Sequence, residues 1–289
     1  MMSDVNESLE QARERNIRDA LAEDIGRGDW TARLVPAGQR VRARVIVRED
    51  ALLCGRDWFA GCLRALDGAS RIDWQVDEGE RMAADATVCL IEAEARALLS
   101  AERPALNFLQ LLSGVATATR RHVDAIAGVS PNPRGCAILD TRKTLPGLRQ
   151  AQKYAVRVGG GRNQRLALWH GILIKENHIT AAGGIAAALR AARALDAGVE
   201  IQIEVENLAQ LREALAEGAR SIMLDNFTLV SMREAVAVNE GRAELEVSGG
   251  VQLEQLREIA ATGVDRISVG ALTKHVQAAD FSMRVLDRL

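Results

Sequence analysis

The sequence predicts an α/β protein in two parts: an amino-terminal domain in which a sheet carries helices on one face, then an incomplete parallel α/β barrel. Three observations predict it. Residues 41 to 99 read mostly as strands, with "VRARVIVRED" alternating and "ATVCLIEAEA" rich in strand-forming residues. From residue 137 onward, short apolar runs are separated by Ala- and Leu-rich segments of helical composition. No G-x-G-x-x-G fingerprint follows the first of those runs, which favours a barrel over a doubly wound sheet, although the clear strands are too few for a closed eight-stranded one.

The elements follow in order. Leu9, Ala12, Ile17, Ala20 and Leu21 fall at helical spacings, and the two glycines of "EDIGRGDWT" end that helix. "VRARVIVRED" and "ATVCLIEAEA" read as strands, with a helix, "DWFAGCLRAL", between them. "SAERPALNFLQLLSGVATATRRHVDAI" is a long amphipathic helix. The barrel runs are "AILDT", "GILIK", "EIQIEVE", "SIMLDN", "ELEVSGG" and "RISVGA", beginning at 137, 171, 200, 221, 244 and 266. "GIAAALRAARAL", "NLAQLREALAEGA", "LVSMREAVAVN" and "QLEQLREIAATG" are the helices between the later ones. The expected domains are therefore residues 1–115 and 116–275, with a closing strand over about 276–289 available to the first domain's sheet.

Composition narrows the functional classes. A chain of 289 residues, 48% hydrophobic and 26% charged, buries a sizeable core. Lys and Arg number 37 against 39 Asp and Glu, a balance that speaks against nucleic-acid or membrane-surface binding. No apolar run reaches the roughly 18 residues of a membrane span, and the polar, acidic start lacks a signal peptide's apolar centre. Cys54, Cys62, Cys89 and Cys136 form no C-x-x-C pair and read as reduced thiols. A cytoplasmic protein is expected.

In a parallel barrel, chemistry collects at the carboxyl ends of the strands. The ends here carry Thr141, Arg142 and Lys143; then Lys175; Glu204 and Glu206; Asp225 and Asn226; Ser248, Gly249 and Gly250; and Val269, Gly270 and Ala271. Singly, each has an ordinary reading: a solvated loop charge, a tight turn, a carboxylate paired to a nearby cation. Jointly they predict an anion site. The glycine ends suit a phosphate held on backbone N–H groups, with Ser248 adding a hydroxyl. Glu204 and Asp225 suit a magnesium ion that bridges to substrate phosphates, directly or through water. His122, His170, His178 and His275 form no metal-binding spacing, and no activated-nucleophile signature appears.

Taken in order, "AERPALNFLQLLSGVAT", "LDTRKTLPGLR", "QKYAVRVGGG", "LIKENHI", "IEVE", "MLDN", "SGG" and "ISVGALTKHV" closely resemble the quinolinate phosphoribosyltransferase family over nearly the whole chain. The resemblance implies an α/β sandwich domain followed by the incomplete barrel, and a homodimer with sites built from both subunits. It implies the reaction of quinolinate with phosphoribosyl pyrophosphate (PRPP) to give nicotinate mononucleotide, pyrophosphate and carbon dioxide, with Mg2+ and no organic cofactor. By motif it puts the quinolinate-binding cations at Arg103, Arg142, Arg165 and Lys175, with Arg103 reaching across the dimer, and Thr141 beside them. Lys143, Glu204 and Asp225 become the catalytic residues, the two acids lying near ribose and metal. Residues 248–250 and 269–271 take the 5′-phosphate.

Two departures stand out. The family's N-H-R is Asn163, Gln164, Arg165 here, so any proton-handling role of the histidine is lost, and His170 replaces a frequent aspartate. They are the sole motive for a diverged paralogue that only binds a phosphorylated ligand. A Schiff-base lyase using Lys175 is the other rival; its lysine needs an apolar pocket, whereas Arg142, Lys143 and Arg165 accompany this one.

Overall fold

The computed structural model describes residues 6–289, which separate into two compact units. The first contains the chain through Arg120, then Thr144–Gly160 and His275–Leu289; the second contains Arg121–Lys143 and Gly161–Lys274.

In the first unit, helix α1 (Leu9–Ile25) is opened by a reciprocal cap between Ser8 and Gln11. Strand β1 (Arg40–Val47), β2 (Ala51–Leu52), helix α2 (Arg56–Leu66), β3 (Arg71–Trp74), β4 (Arg81–Met82), β5 (Thr87–Glu94) and helix α3 (Ala95–Ile126) follow. β1 buries alternate residues, Val41, Ala43, Val45 and Val47, and shows arginines on its other face. α2 and α3 bury Trp58, Phe59, Leu98, Leu109 and Leu112 in the same core. The last strand, β12 (Phe281–Arg288), lies antiparallel along β1, giving a four-stranded sheet ordered β12-β1-β5-β3. The returning chain crosses α3 at Gly114, where a Cβ would collide with the Gln277 carbonyl; Ala279 N–H then donates to the Gln110 carbonyl.

The second unit holds six parallel strands: β6 (Ala137–Leu139), β7 (Gly171–Ile174), β8 (Glu200–Val205), β9 (Ser221–Asp225), β10 (Glu244–Ser248) and β11 (Arg266–Ser268). Their order is β6-β11-β10-β9-β8-β7, and Arg162 adds a single parallel bridge to Leu139 on the outer side of β6. Helices α5 (Glu176–Ala182) to α10 (Ala271–Lys274) come from the intervening and following segments. This is the predicted incomplete barrel, with all six strands where the apolar runs stand.

The domain boundary differs from the expected one. Residues 144–160, anticipated inside 116–275, group with the first unit. The reason is apolar. Helix α4 (Arg149–Val158) buries Ala151, Ala155 and Val156 in the core that contains Trp58 and Leu109. Tyr154 stacks on Trp58 at 5.4 Å and donates its hydroxyl to Glu78 at 3.0 Å. The helix after β6 therefore serves the sandwich and not the barrel.

All four cysteines are unpaired. Burial pushes the Cys62 thiol up to about 12. Among the described residues, no helix is long and apolar enough to cross a membrane.

Candidate active site

Strand polarity brings most of the predicted side chains to one end of the parallel sheet. Thr141, Arg142 and Lys143 follow β6, Lys175 follows β7, Glu204 lies one residue from the end of β8, and Asp225 and Ser248 close β9 and β10. Asp225 and Ser248 are direct partners across the two strands. Val269, Gly270 and Ala271 follow β11. Arg103 belongs to the first unit, exposed on α3.

The Thr141–Lys143 turn is tied twice. Thr141 Oγ1 accepts from Lys143 N–H at 3.0 Å, and Thr273 Oγ1 donates to the Lys143 carbonyl at 2.8 Å. The Lys143 stem lies over Gly270, where a Cβ would stand 3.1 Å from its Cδ. Gly270 is thus a space requirement of the lysine. Gly249 and Gly250 take positive φ values of 106° and 62°, which lets the chain turn sharply after β10. A Cβ on Gly249 would lie 3.2 Å from Asp225 Oδ1, so glycine also leaves room for that carboxylate.

Electrostatically, Arg142, Lys143 and Lys175 accompany two carboxylates at these strand ends, while the Arg165 side chain reaches the first residue of β7. Lys175 Nζ donates to Glu204 Oε2 at 2.8 Å, and Asn226 donates to Asp225 Oδ2 at the same distance. Arg142 and Arg165 differ. Neither guanidinium forms an ion pair among the described residues, and Arg142 Nε is buried without a hydrogen-bond partner. Arg165 donates to the Gly171 carbonyl at 2.9 Å. Its ionisation is lowered from the ordinary arginine value, first by burial and then by the neighbouring Arg142 charge. Two guanidiniums held near each other without a counter-charge make a receptor for an anion with two acceptor groups.

Lys175 ends an apolar strand because it sits at this rim: its backbone N–H donates to His178 Nδ1 at 3.0 Å as α5 begins, and its ammonium turns to Glu204. His178 therefore orients the loop, and Lys175 lies in an ion pair, not in the apolar pocket a Schiff-base lysine requires.

Three residues outside the predicted set belong to this architecture. Asp140 is fully buried and accepts from the Gln164 N–H at 2.9 Å and from the Asn163 side chain, fixing the loop that carries Arg165. Gln202 and Glu246 are buried polar residues on β8 and β10. The available signal was polar residues two apart on strands otherwise apolar: Gln202 before Glu204, and Glu246 before Ser248. His170 donates nothing to the mouth. Its Nδ1 accepts from Leu166 N–H at 3.3 Å, beside a cavity of about 380 Å3 that the starts of β7, β8 and β11 help line.

A resident metal cage does not fit. Among the described residues, no group of three metal-ligating side chains exists. Two carboxylates do fit a magnesium ion that brings most of its ligands as water and phosphate oxygens.

Two family models match the chain: "Quinolinate phosphoribosyl transferase, N-terminal domain" over residues 29–113 and its C-terminal counterpart over residues 115–284. The nicotinate-nucleotide pyrophosphorylase (carboxylating) of Mycobacterium leprae is 42% identical over 274 residues, covering 92% of this chain and 95% of that protein. A quinolinate phosphoribosyltransferase (decarboxylating) of Nicotiana tabacum is 36% identical over 289 residues, covering 92% of this chain and 80% of the tobacco protein. The solved nicotinate-nucleotide pyrophosphorylase from Francisella tularensis aligns with a TM-score of 0.92 at 42% identity, over 99% of this chain and all of that one.

Proposed function

The chain belongs to the quinolinate phosphoribosyltransferase family, and we propose that the open end of its parallel sheet performs that family's transfer of a phosphoribosyl group from PRPP to quinolinate, with decarboxylation. The observation that carries the assignment is the pair of uncompensated guanidiniums, Arg142 and Arg165, in the unit whose strand ends carry Lys143 and the Lys175–Glu204 pair.

Quinolinate has two adjacent carboxylates beside its ring nitrogen. Arg142 and Arg165 take them as charge-assisted forks, with Lys175 and Thr141 at the rim. Arg103, from the second copy in a homodimer, completes the cation set. PRPP lies with its 5′-phosphate against residues 248–250 and 269–271, where glycines let backbone N–H groups approach an anion. Magnesium arrives on the pyrophosphate as part of the substrate and stabilises it as it leaves.

The ring nitrogen forms its bond to the anomeric carbon as the bond to pyrophosphate oxygen breaks. Positive charge on that carbon is met by Glu204 and Asp225, already fixed before the reaction. The product pyridinium then accepts the electron pair released when the adjacent carboxylate leaves as carbon dioxide, and that ring carbon takes up a proton. Lys143, held over Gly270 and free of ion pairs among the described residues, stands between the two substrates. No side chain forms a covalent intermediate, so orientation supplies much of the rate.

The test is turnover. Purified protein given quinolinate, PRPP and magnesium releases carbon dioxide and forms nicotinate mononucleotide, and Lys143→Ala lowers kcat by at least about 100-fold. A fully active Lys143→Ala would overturn the catalytic map. Tight binding without turnover by the unaltered chain would favour the paralogue. A borohydride-trapped adduct on Lys175 would favour the lyase. Cytoplasmic residence belongs to the same reading.

A further inference from the structure

A chain of buried polar groups runs from the N-Q-R loop into the barrel. Gln164 Nε2 donates to Gln202 Oε1 at 3.0 Å, and Gln202 Nε2 donates to Glu246 Oε2 at 2.7 Å. The other carboxylate oxygen of Glu246 accepts from the Ser268 hydroxyl, and Arg266 Nε stands 3.7 Å from Oε2. Gln202, Glu246 and Ser268 are 5%, 0% and 4% exposed, so water competes little for the bonds of Glu246, while the Gln164–Gln202 bond is partly buried. They span three strands, β8, β10 and β11, one layer below Glu204 and Ser248.

The order of donors fixes the order of the amides. Gln202 points its NH2 group at Glu246 Oε2, which accepts. That turns the Gln202 carbonyl toward Gln164, which must then spend its own NH2 inward. Gln164 is thereby held by its side chain, while its backbone N–H is held by Asp140. The next residue is Arg165, one of the two uncompensated guanidiniums.

We infer that Gln202 and Glu246 are positioning residues: acting through Gln164, they fix Arg165 beside Arg142 for the diacid substrate. They do not touch the reacting atoms. The inference rests on the proposed reading of Arg142 and Arg165 as the quinolinate receptor, and it assigns Gln164 an anchoring role in place of proton handling.

The experiment is steady-state kinetics of the full-length enzyme carrying Gln202→Met, Gln164→Met, both together, or Glu246→Leu, with thermal melting to verify folding. Methionine keeps the volume of glutamine and removes its hydrogen bonds. Gln202→Met raises KM for quinolinate about tenfold and leaves KM for PRPP and kcat within about twofold. Gln164→Met does the same, and the double variant is no worse than either single one. Glu246→Leu removes the acceptor that Gln202 uses and raises the quinolinate KM in the same way.

An unchanged quinolinate KM in Gln202→Met overturns the inference, as does a loss shared equally by both substrates. A double variant whose loss is the product of the single losses overturns it too, because the two glutamines then act independently. An unchanged quinolinate KM in a folded Glu246→Leu removes Glu246 from the chain. Should Gln202→Met fail to fold, Gln164→Met, on a partly exposed loop, carries the test alone. An unaltered enzyme without turnover sinks the functional reading itself, whereas an active enzyme insensitive to Gln202→Met sinks only the positioning role.

Discussion

Gly270→Ala separates stability from activity. An alanine Cβ at 270 would lie 3.1 Å from Lys143 Cδ, 3.5 Å from Thr141 Oγ1 and 3.8 Å from Lys143 Nζ. Carbon atoms rest at about 3.5–4.0 Å, so the lysine stem must retreat by roughly 0.4–0.9 Å. The stem is flexible and Lys143 is exposed, so the fold absorbs that shift. Gly270 does not use a left-handed backbone, so alanine is allowed there. Restricting the unfolded chain then stabilises the native state by about 0.4–1 kcal/mol, or about 1–4 °C in Tm. Catalysis responds oppositely. A displacement near 1 Å at a reacting group costs up to about 100-fold, so the expected loss in kcat is roughly 10- to 100-fold. Carbon dioxide release measures the second quantity and thermal melting the first. Unaltered turnover in a stably folded Gly270→Ala refutes the placement of Lys143. A parallel collapse of activity and Tm refutes the view that Gly270 serves the lysine and not the fold.

Other perturbations read other parts of the same site. Glu204→Gln removes the charge 2.8 Å from Lys175 and the charge proposed to face the anomeric carbon; turnover should fall roughly 100- to 1,000-fold, while stability changes by about 1 kcal/mol or less because the lysine is half-exposed. If the ion travels with substrate, as proposed, chelating divalent metal should abolish turnover until magnesium is restored and leave Tm unmoved; a chelator-induced drop in Tm would point to a resident metal. Burial raises the Glu246 carboxyl above its ordinary value, against the lowering effects of Ser268, Gln202 and Arg266. A raised carboxyl stabilises the fold fully below its unfolded pKa and loses that contribution as pH rises through the folded value. Glu246→Gln should therefore raise Tm near neutral pH, with the difference shrinking as the medium is acidified; a difference independent of pH would contradict it.

Much of this was legible in the sequence because its signals were periodic. The six parallel strands announce themselves as apolar runs, since strands covered on both faces need little else, and their shared polarity converts six sequence positions into one rim. What escaped was set by packing between distant segments. Residues 144–160 read as part of a βα repeat, yet Ala151, Ala155 and Val156 find their apolar partners around Trp58. Short-range pattern cannot choose between two cores. Gln202 and Glu246 escaped for a related reason: a polar residue in a strand declares that it needs a partner, but not which strand supplies it. The role of Gly270 was likewise hidden, because a glycine after a strand reads as a turn, whereas here the side chain of Lys143 occupies the space a Cβ would fill.

The division of charge at the rim follows from these contacts. Lys175 and Glu204 satisfy one another at 2.8 Å, so in the empty site they add little net field and act chiefly as fixed geometry. Arg142 and Arg165 are the opposite: partly desolvated, close enough to oppose each other, and without a carboxylate among the described residues. Holding them together costs stability in the free enzyme. A dianion bound there, as proposed, would remove the repulsion and supply the missing acceptors, so that the cost returns as affinity for a substrate with two adjacent carboxylates and only in part for a monoacid. On the proposed reading, selectivity for a diacid arises from what the fold leaves unpaired, with the loop anchored by Asp140 and Gln164 keeping Arg165 from relaxing away. Comparing nicotinate with quinolinate as competing ligands isolates that term: the monoacid should bind at least about tenfold more weakly, and equal affinity would mean that the two guanidiniums do not act as a pair.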